Sequence, residues 1–289
     1  MQWWRSLPFV PVVGVVLLRQ QTRRRWKPVA LANMLTPFPN MDELCYEPWR
    51  EWTGIEIQTD KRKCLLDPWQ YVIEYFPRTK LCKLTIFENF NESYPKRYFD
   101  CPTIRVPNPA VSRKLARASL HLSTLSASFM TEAGHFFAAL QDLWTWDKLT
   151  SLALTSRVLT DDADTSDINN MLQDAAVAAL KMPRLDTMEL WNGRRGVAIL
   201  FRSQRARDRQ LAVITVRGTW ELALGLVTTQ AWDVLAHLHC HGRVVVQTSL
   251  IDPDVVRCHG DAIRLLGLST EVARPVSLRQ ILTEHGSRA

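Results

Sequence analysis

The sequence predicts an α/β fold: an irregular solenoid of parallel strands and outer helices over residues 1–193, closed by a C-terminal α/β cap over residues 194–289. Three observations carry this expectation. An apolar pattern of the form Leu-x-x-Leu-x-Leu recurs at Met41/Leu44/Tyr46, Leu81/Leu84/Ile86, Leu122/Leu125/Ala127, Leu149/Leu152/Leu154 and Leu185/Met188/Leu190. Several copies follow a helix-like segment and a proline, as at Pro39, Pro77 and Pro183. The pattern stops after Gly193, where a different alternation of strands and helices begins.

The copies start at residues 41, 81, 122, 149 and 185, a spacing of 40, 41, 27 and 36 residues. One strand–helix unit cannot bury its apolar side alone. Stacked units can, with the strands in a parallel sheet and the helices on its outer side. The first, fourth and sixth residues of each copy then point between strand and helix, and those between them are expected on an open concave face. This is leucine-rich-repeat logic with units longer than the usual ~20–29 residues.

The elements follow in order. Val10 to Leu18 reads as a buried strand. The apolar run Leu7 to Leu18 also has the look of a signal segment, but its 12 residues are too few to span a bilayer. Arg19 and Arg23 to Arg25 follow it, not a small-residue cleavage site. The first residues read as the inside of a domain, so more chain is expected ahead of Met1. Residues 26–35 predict a helix with Pro28 in its first turn. Helices are also predicted over 68–75, 110–120 and 131–143. Residues 166–181 make the strongest helix, with Ser166 as N-cap, Asp167 in the first turn and an alanine-rich body. Asn192-Gly193 predicts a turn. Beyond it, 196–203 and 211–220 read as antiparallel strands joined by a basic turn. A helix over 228–239, a strand over 244–247 and helices over 261–266 and 277–285 complete the cap.

Composition narrows the function. With 46% hydrophobic and 22% charged residues the chain can fill a large core. The net charge of +7 gathers in two runs, Arg19 to Lys27 and Arg202 to Arg209. These read as solvated loops beside strands. No helix face carries a basic stripe, so nucleic acid is not the expected partner. The six cysteines (Cys45, Cys64, Cys82, Cys101, Cys240, Cys258) form no C-x-x-C pair. Cys45 and Cys82 fall within apolar strands, where a free thiol acts as a small hydrophobe. A reduced protein of the cytoplasm or nucleus is expected, with no membrane span.

The candidate binding surface is the row of segments into which the repeat strands run: Glu47 to Trp52, Glu88 to Glu92, Ser126 to Ser128, Thr155 to Arg157 and Trp191 to Arg194. Stacked about 4.8 Å apart they would form one edge. Its candidate contacts are Trp49, Arg50, Trp52, Glu88, Asn91, Ser128, Arg157, Trp191 and Asn192, residue types that anchor interfaces. The same residues also serve as turn formers and core covers. His237, His241, Cys258 and His259 are zinc-ligand types, but their spacing fits no zinc-binding pattern, and no metal or other cofactor is expected. Cys258, His259 and Asp261 combine a nucleophile, a base and an acid, yet near-adjacent residues do not readily assemble a triad. No P-loop, G-x-G-x-x-G, G-x-S-x-G or H-E-x-x-H is present.

Longer runs carry a resemblance. YEPWREW (Tyr46 to Trp52), LTIFENFNE (Leu84 to Glu92), RVPNPAV (Arg105 to Val111), ASLHLSTLSASFM (Ala118 to Met130), MELWNGRRG (Met188 to Gly196) and VRGTWEL (Val216 to Leu222) resemble a large group of fungal proteins of unknown function. Members of that group often place a short helical F-box ahead of a leucine-rich-repeat-like region. The resemblance implies a protein partner held by the repeats, and a ubiquitin ligase scaffold where an F-box precedes them. No F-box is written in these residues, and no catalytic residue carries over. The expected function is a non-catalytic protein-interaction module. The alternative is a small-molecule-binding or accessory protein, including an enzyme, of fungal specialised metabolism.

Overall fold

The computed structural model describes residues 3, 6–20, 28–49, 73, 80–91, 107–205, 211–240 and 242–286. Among them, nine strands form one open sheet whose order in space is the order in sequence. The strands β1 (Val15–Leu18), β2 (Glu43–Tyr46), β3 (Lys83–Phe87), β4 (Thr124–Ser128), β5 (Ser151–Thr155) and β6 (Thr187–Arg194) run parallel. β7 (Val197–Gln204) and β8 (Ala212–Gly218) continue the sheet antiparallel, and β9 (Val244–Leu250) lies parallel to β8.

The register explains the recurring pattern. Leu44, Leu84, Leu125, Leu152 and Met188 are successive partners across β2 to β6, and so are Tyr46, Ile86, Ala127, Leu154 and Leu190. The fourth and sixth residues of every copy thus form two unbroken apolar ladders on one face. The first residue of each copy (Met41, Leu81, Leu122, Leu149, Leu185) is buried ahead of its strand.

Helices α1 (Pro28–Leu35), α2 (Pro109–Ala118), α3 (Ala133–Phe137), α4 (Thr165–Ala179) and α5 (Leu226–Cys240) cover that face. Leu31, Leu115, Phe136, Leu172 and Trp232 are their deepest contributions to the core. Alanines 175, 176 and 179 keep α4 close to its neighbours. Asn108 caps α2 by accepting from the Ala110 amide at 2.9 Å, ahead of Pro109 at N1. No helix among the described residues is long and apolar enough to cross a membrane.

Several boundaries differ from expectation. β1 begins at Val15: the Val13 amide turns back to the Val10 carbonyl, and the proline at 11 offers no amide to a ladder. α3 ends at Phe137, and turns occupy 138–150. The N-cap of α4 is Asp164, which accepts from the Ser166 amide at 2.8 Å. Asn192-Gly193 is not a turn. Both lie in β6, and the chain reverses at Arg195-Gly196, where Gly196 has φ of 74°. The boundary expected after residue 193 therefore falls within a strand paired to β7. The helix expected over 68–75 lies outside the described residues except for Ile73, which is helical and buried.

The largest departure concerns the second face of the sheet, which is not open. After β9 the chain makes a 3-10 turn (Pro253–Val255), then α6 (His259–Leu266) and α7 (Pro275–Glu284), and lies across that face as a strap. Phe87, Ala153, Trp191, Ala198 and Leu200 from the sheet pack with Val256, Ala262, Ile263, Leu266, Val272, Ile281 and Leu282. The intervening strand positions are themselves partly apolar, so both faces of β3 and β5 to β7 need a cover. Close approach requires glycine: a Cβ on Gly193 would stand 2.5 Å from the Cβ of Ala262.

Candidate functional site

The strap is tied to the sheet through two buried carboxylates. Glu189 sits between two ladder residues, so strand alternation turns it to the strap side. It is fully buried. It accepts from the Ser269 amide (2.8 Å), the Ser269 hydroxyl (2.9 Å) and the Thr270 amide (2.9 Å), and from Arg202 Nε at 2.7 Å. A buried carboxylate needs such a set of donors to remain in an interior. Thr270 also meets the Ser151 hydroxyl at 2.8 Å.

Glu47, just past β2, holds the far end of the strap. It accepts from the Arg274 amide at 2.8 Å and from the Ser277 hydroxyl. Arg274 pairs through its guanidinium with Glu43 and with Glu271, the latter at 2.9 Å. Gln20 donates to the Ser277 carbonyl at 3.0 Å. The contacts of Glu43, Glu47 and Gln20 join residues more than 200 positions apart.

Cys45 lies beside this anchor. Burial, reinforced by the negative charge of Glu47, pushes its thiol up to about 12. At neutral pH it is a thiol and not a nucleophile.

The expected edge of turn segments is plugged at its centre by His259. Its Nε2 lies 2.8 Å from Asn89 Oδ1, and its ring stacks on Phe90 at 4.3 Å. Phe129, held at φ of 65°, packs edge-on against Trp191 at 5.2 Å. Asp261 is buried and accepts from the Arg257 amide (3.1 Å) and from Arg264 (3.3 Å). His259 directs Nε2 to Asn89, and Cys258 Sγ lies 4.0 Å from Asp261 Oδ2.

The expected contact residues thus separate. Trp49, Glu88, Ser128 and Trp191 are buried where an open edge was expected, Trp191 against the strap. Asn91 and Asn192 are half-buried, with Asn192 donating to the Leu159 carbonyl at 3.1 Å, and Arg157 is exposed. Arg50 and Trp52 lie outside the described residues. His237 is exposed on α5, whereas Cys258 and His259 are buried at the start of α6; His241 lies outside the described residues. No group of three or more His, Cys, Asp or Glu side chains is placed to hold a metal among the described residues.

The anchors Glu47, Glu189, Arg274 and Ser277 were not foreseen. A signal for one of them existed: Glu189 interrupts an apolar strand at a position facing away from the helices. What it faced could not be read, because its strap donors lie 80 and 81 residues away. A cavity of about 30 Å³ lined by Leu185, Arg205, Trp232, His239 and Val244 has room for roughly one water.

No curated protein and no solved structure matches the chain. The model of a protein family described as a family of unknown function (DUF6546) matches residues 75–274. That stretch runs from just before β3 to the strap residue Arg274 and takes in Glu189 with all its donors. It is more than half of the 289 residues, and the chain belongs to this family of unknown function.

Proposed function

We propose that the protein is a non-catalytic protein-interaction module, an irregular leucine-rich-repeat-like solenoid that serves as the substrate-holding part of an F-box-type ubiquitin ligase adaptor. The observation that carries the reading is the pair of in-register ladders across five successive parallel strands. Each unit then repeats the one before it, and equivalent side chains stack along one edge about 4.8 Å apart. Among the described residues, the accessible part of that edge consists of Asn91, Arg157, Asn192 and Arg194, with the buried Trp49 and Trp191 in the same segments and the exposed Asp162 3.8 Å from Arg194. Such a mixed-charge, partly apolar rim suits a protein partner. Recruitment of the ligase scaffold requires an F-box on the same polypeptide.

The alternative, a small-molecule-binding or accessory protein of fungal specialised metabolism, needs a pocket of some hundreds of Å³. The cavity beside Trp232, at about 30 Å³, is far smaller.

The test is affinity capture from the source cell with the native chain and with Arg157→Glu and Asn192→Ala variants. The expected result is a partner retained by the native chain and lost from the variants, with thermal unfolding unchanged in Arg157→Glu and both variants folded by far-ultraviolet circular dichroism. Equal retention by all forms, or no retained protein, would sink the proposal.

A further inference from the structure

The two ends of the sheet differ. β1 is four residues long and ends beside Arg19. β9 is seven residues long, pairs with β8 alone among the described residues, and is exposed from Val245 to Leu250. Leu250 is 63% exposed. The strand reads VVVQTSL, with no charge and no proline. Proteins ordinarily blunt such an edge with lysine, proline or a bulge.

Amide groups alternate from side to side along a strand. The Ile251 amide donates to the Gly218 carbonyl, on the β8 side, at 2.8 Å. The amides of Val246, Thr248 and Leu250 therefore point away from the sheet. The next in the same set, Val244, is already taken by Asp233 at 2.9 Å. Charge sits at the two ends of this edge: Arg243 precedes the strand, Asp252 and Asp254 follow it, and all three are exposed. A strand with a basic start and an acidic end complements a second copy of itself running antiparallel, and opposes one running parallel.

We propose that the protein forms a two-fold dimer by antiparallel pairing of β9 with β9 of a second copy, centred on Gln247. In this register Val246 of each copy faces Thr248 of the other, and both belong to the outward-pointing set. Arg243 of each copy comes to the Asp252 end of the other. The exposed Val234 and Leu238 of α5 add apolar surface next to the new seam. A sheet extended in this way has continuous main-chain pairing, the same device by which extended peptides add to sheet edges.

The test measures the mass of the full chain by sedimentation over a range of concentrations, with hydrogen exchange at low and high concentration. The expected result is a species of two chains, with exchange slowed at Val246, Thr248 and Leu250 as it forms. Thr248→Pro removes an outward amide without breaking a bond to β8, and Val246→Lys places a charge on the edge. Each is expected to abolish the two-chain species while leaving the far-ultraviolet circular dichroism unchanged. A single-chain mass at every concentration with unaltered exchange overturns the proposal, and so does a two-chain species that Val246→Lys leaves intact. Exchange in the native chain decides the matter even where Thr248→Pro fails to fold.

Discussion

Glu189 and Trp191 lie two residues apart on one strand and face the same strap. Glu189→Ala leaves Arg202 and two strap amides without their acceptor in the interior. A loss of about 3–5 kcal/mol is expected by denaturant unfolding. Trp191→Ala removes a fully buried ring and is expected to cost about 3–5 kcal/mol. Arg157→Ala, on the exposed rim, should stay within about 0.5 kcal/mol of the native chain. Equal effects at all three positions would contradict the division between strap anchors and rim. Cysteines separate in the same way. Cys82 is exposed, whereas Cys45 is buried with its thiol held at about 12. An alkylating reagent at neutral pH should label the peptide carrying Cys82 in the native protein and that carrying Cys45 only after unfolding. Rapid labelling of Cys45 would mean that the strap leaves the sheet spontaneously.

Among the elements, α7 has a built-in sensitivity to acid. His285 closes this helix and meets the His259 ring edge-on at 5.8 Å. Burial holds the His285 imidazole below its usual range, against the opposing pull of Glu284 and Asp261. A group whose affinity for protons is lowered by folding binds more protons in the unfolded chain. Its neutral form contributes fully above the ordinary histidine value of about 6.5, and stability falls as pH drops below it. His121 and His239 are lowered by burial as well, so they act in the same direction. Stability measured by unfolding from neutral to mildly acidic pH should fall steadily, and His285→Gln should reduce that slope. An unchanged slope in the variant would remove His285 from the account. The short helix α3 and the capped helix α4 illustrate a different point. α3 is held by Phe136 and Phe137 in the core, and α4 by a full apolar face with Asp164 at its start.

For the whole molecule, local pattern and long-range closure divide cleanly. The period of the leucine pattern, the parallel order of the strands it marks and the side taken by α1 to α4 were readable in the residues. They depend on side-chain alternation within a strand and on helix-to-strand succession, both local properties. Leu84, Leu125 and Leu152 lie where that pattern required. The antiparallel β7 and β8 were equally legible, because alternating Val and Ile flank a polar turn. The strap was not. Its helices were predicted over roughly the right residues, yet their destination depends on Glu47 and Glu189 meeting donors 80 to 230 positions away. Nothing local specifies such a meeting. The candidate edge shows the consequence: Trp191 has the composition of an interface anchor, and only the fold decides that the strap buries it. The chain's own residues dictate the strands and their order, because alternation and succession are written in short segments. The tertiary structure alone decides that the second face is covered, because that is settled by where the last third of the chain finds acceptors for its amides and a cover for its apolar side.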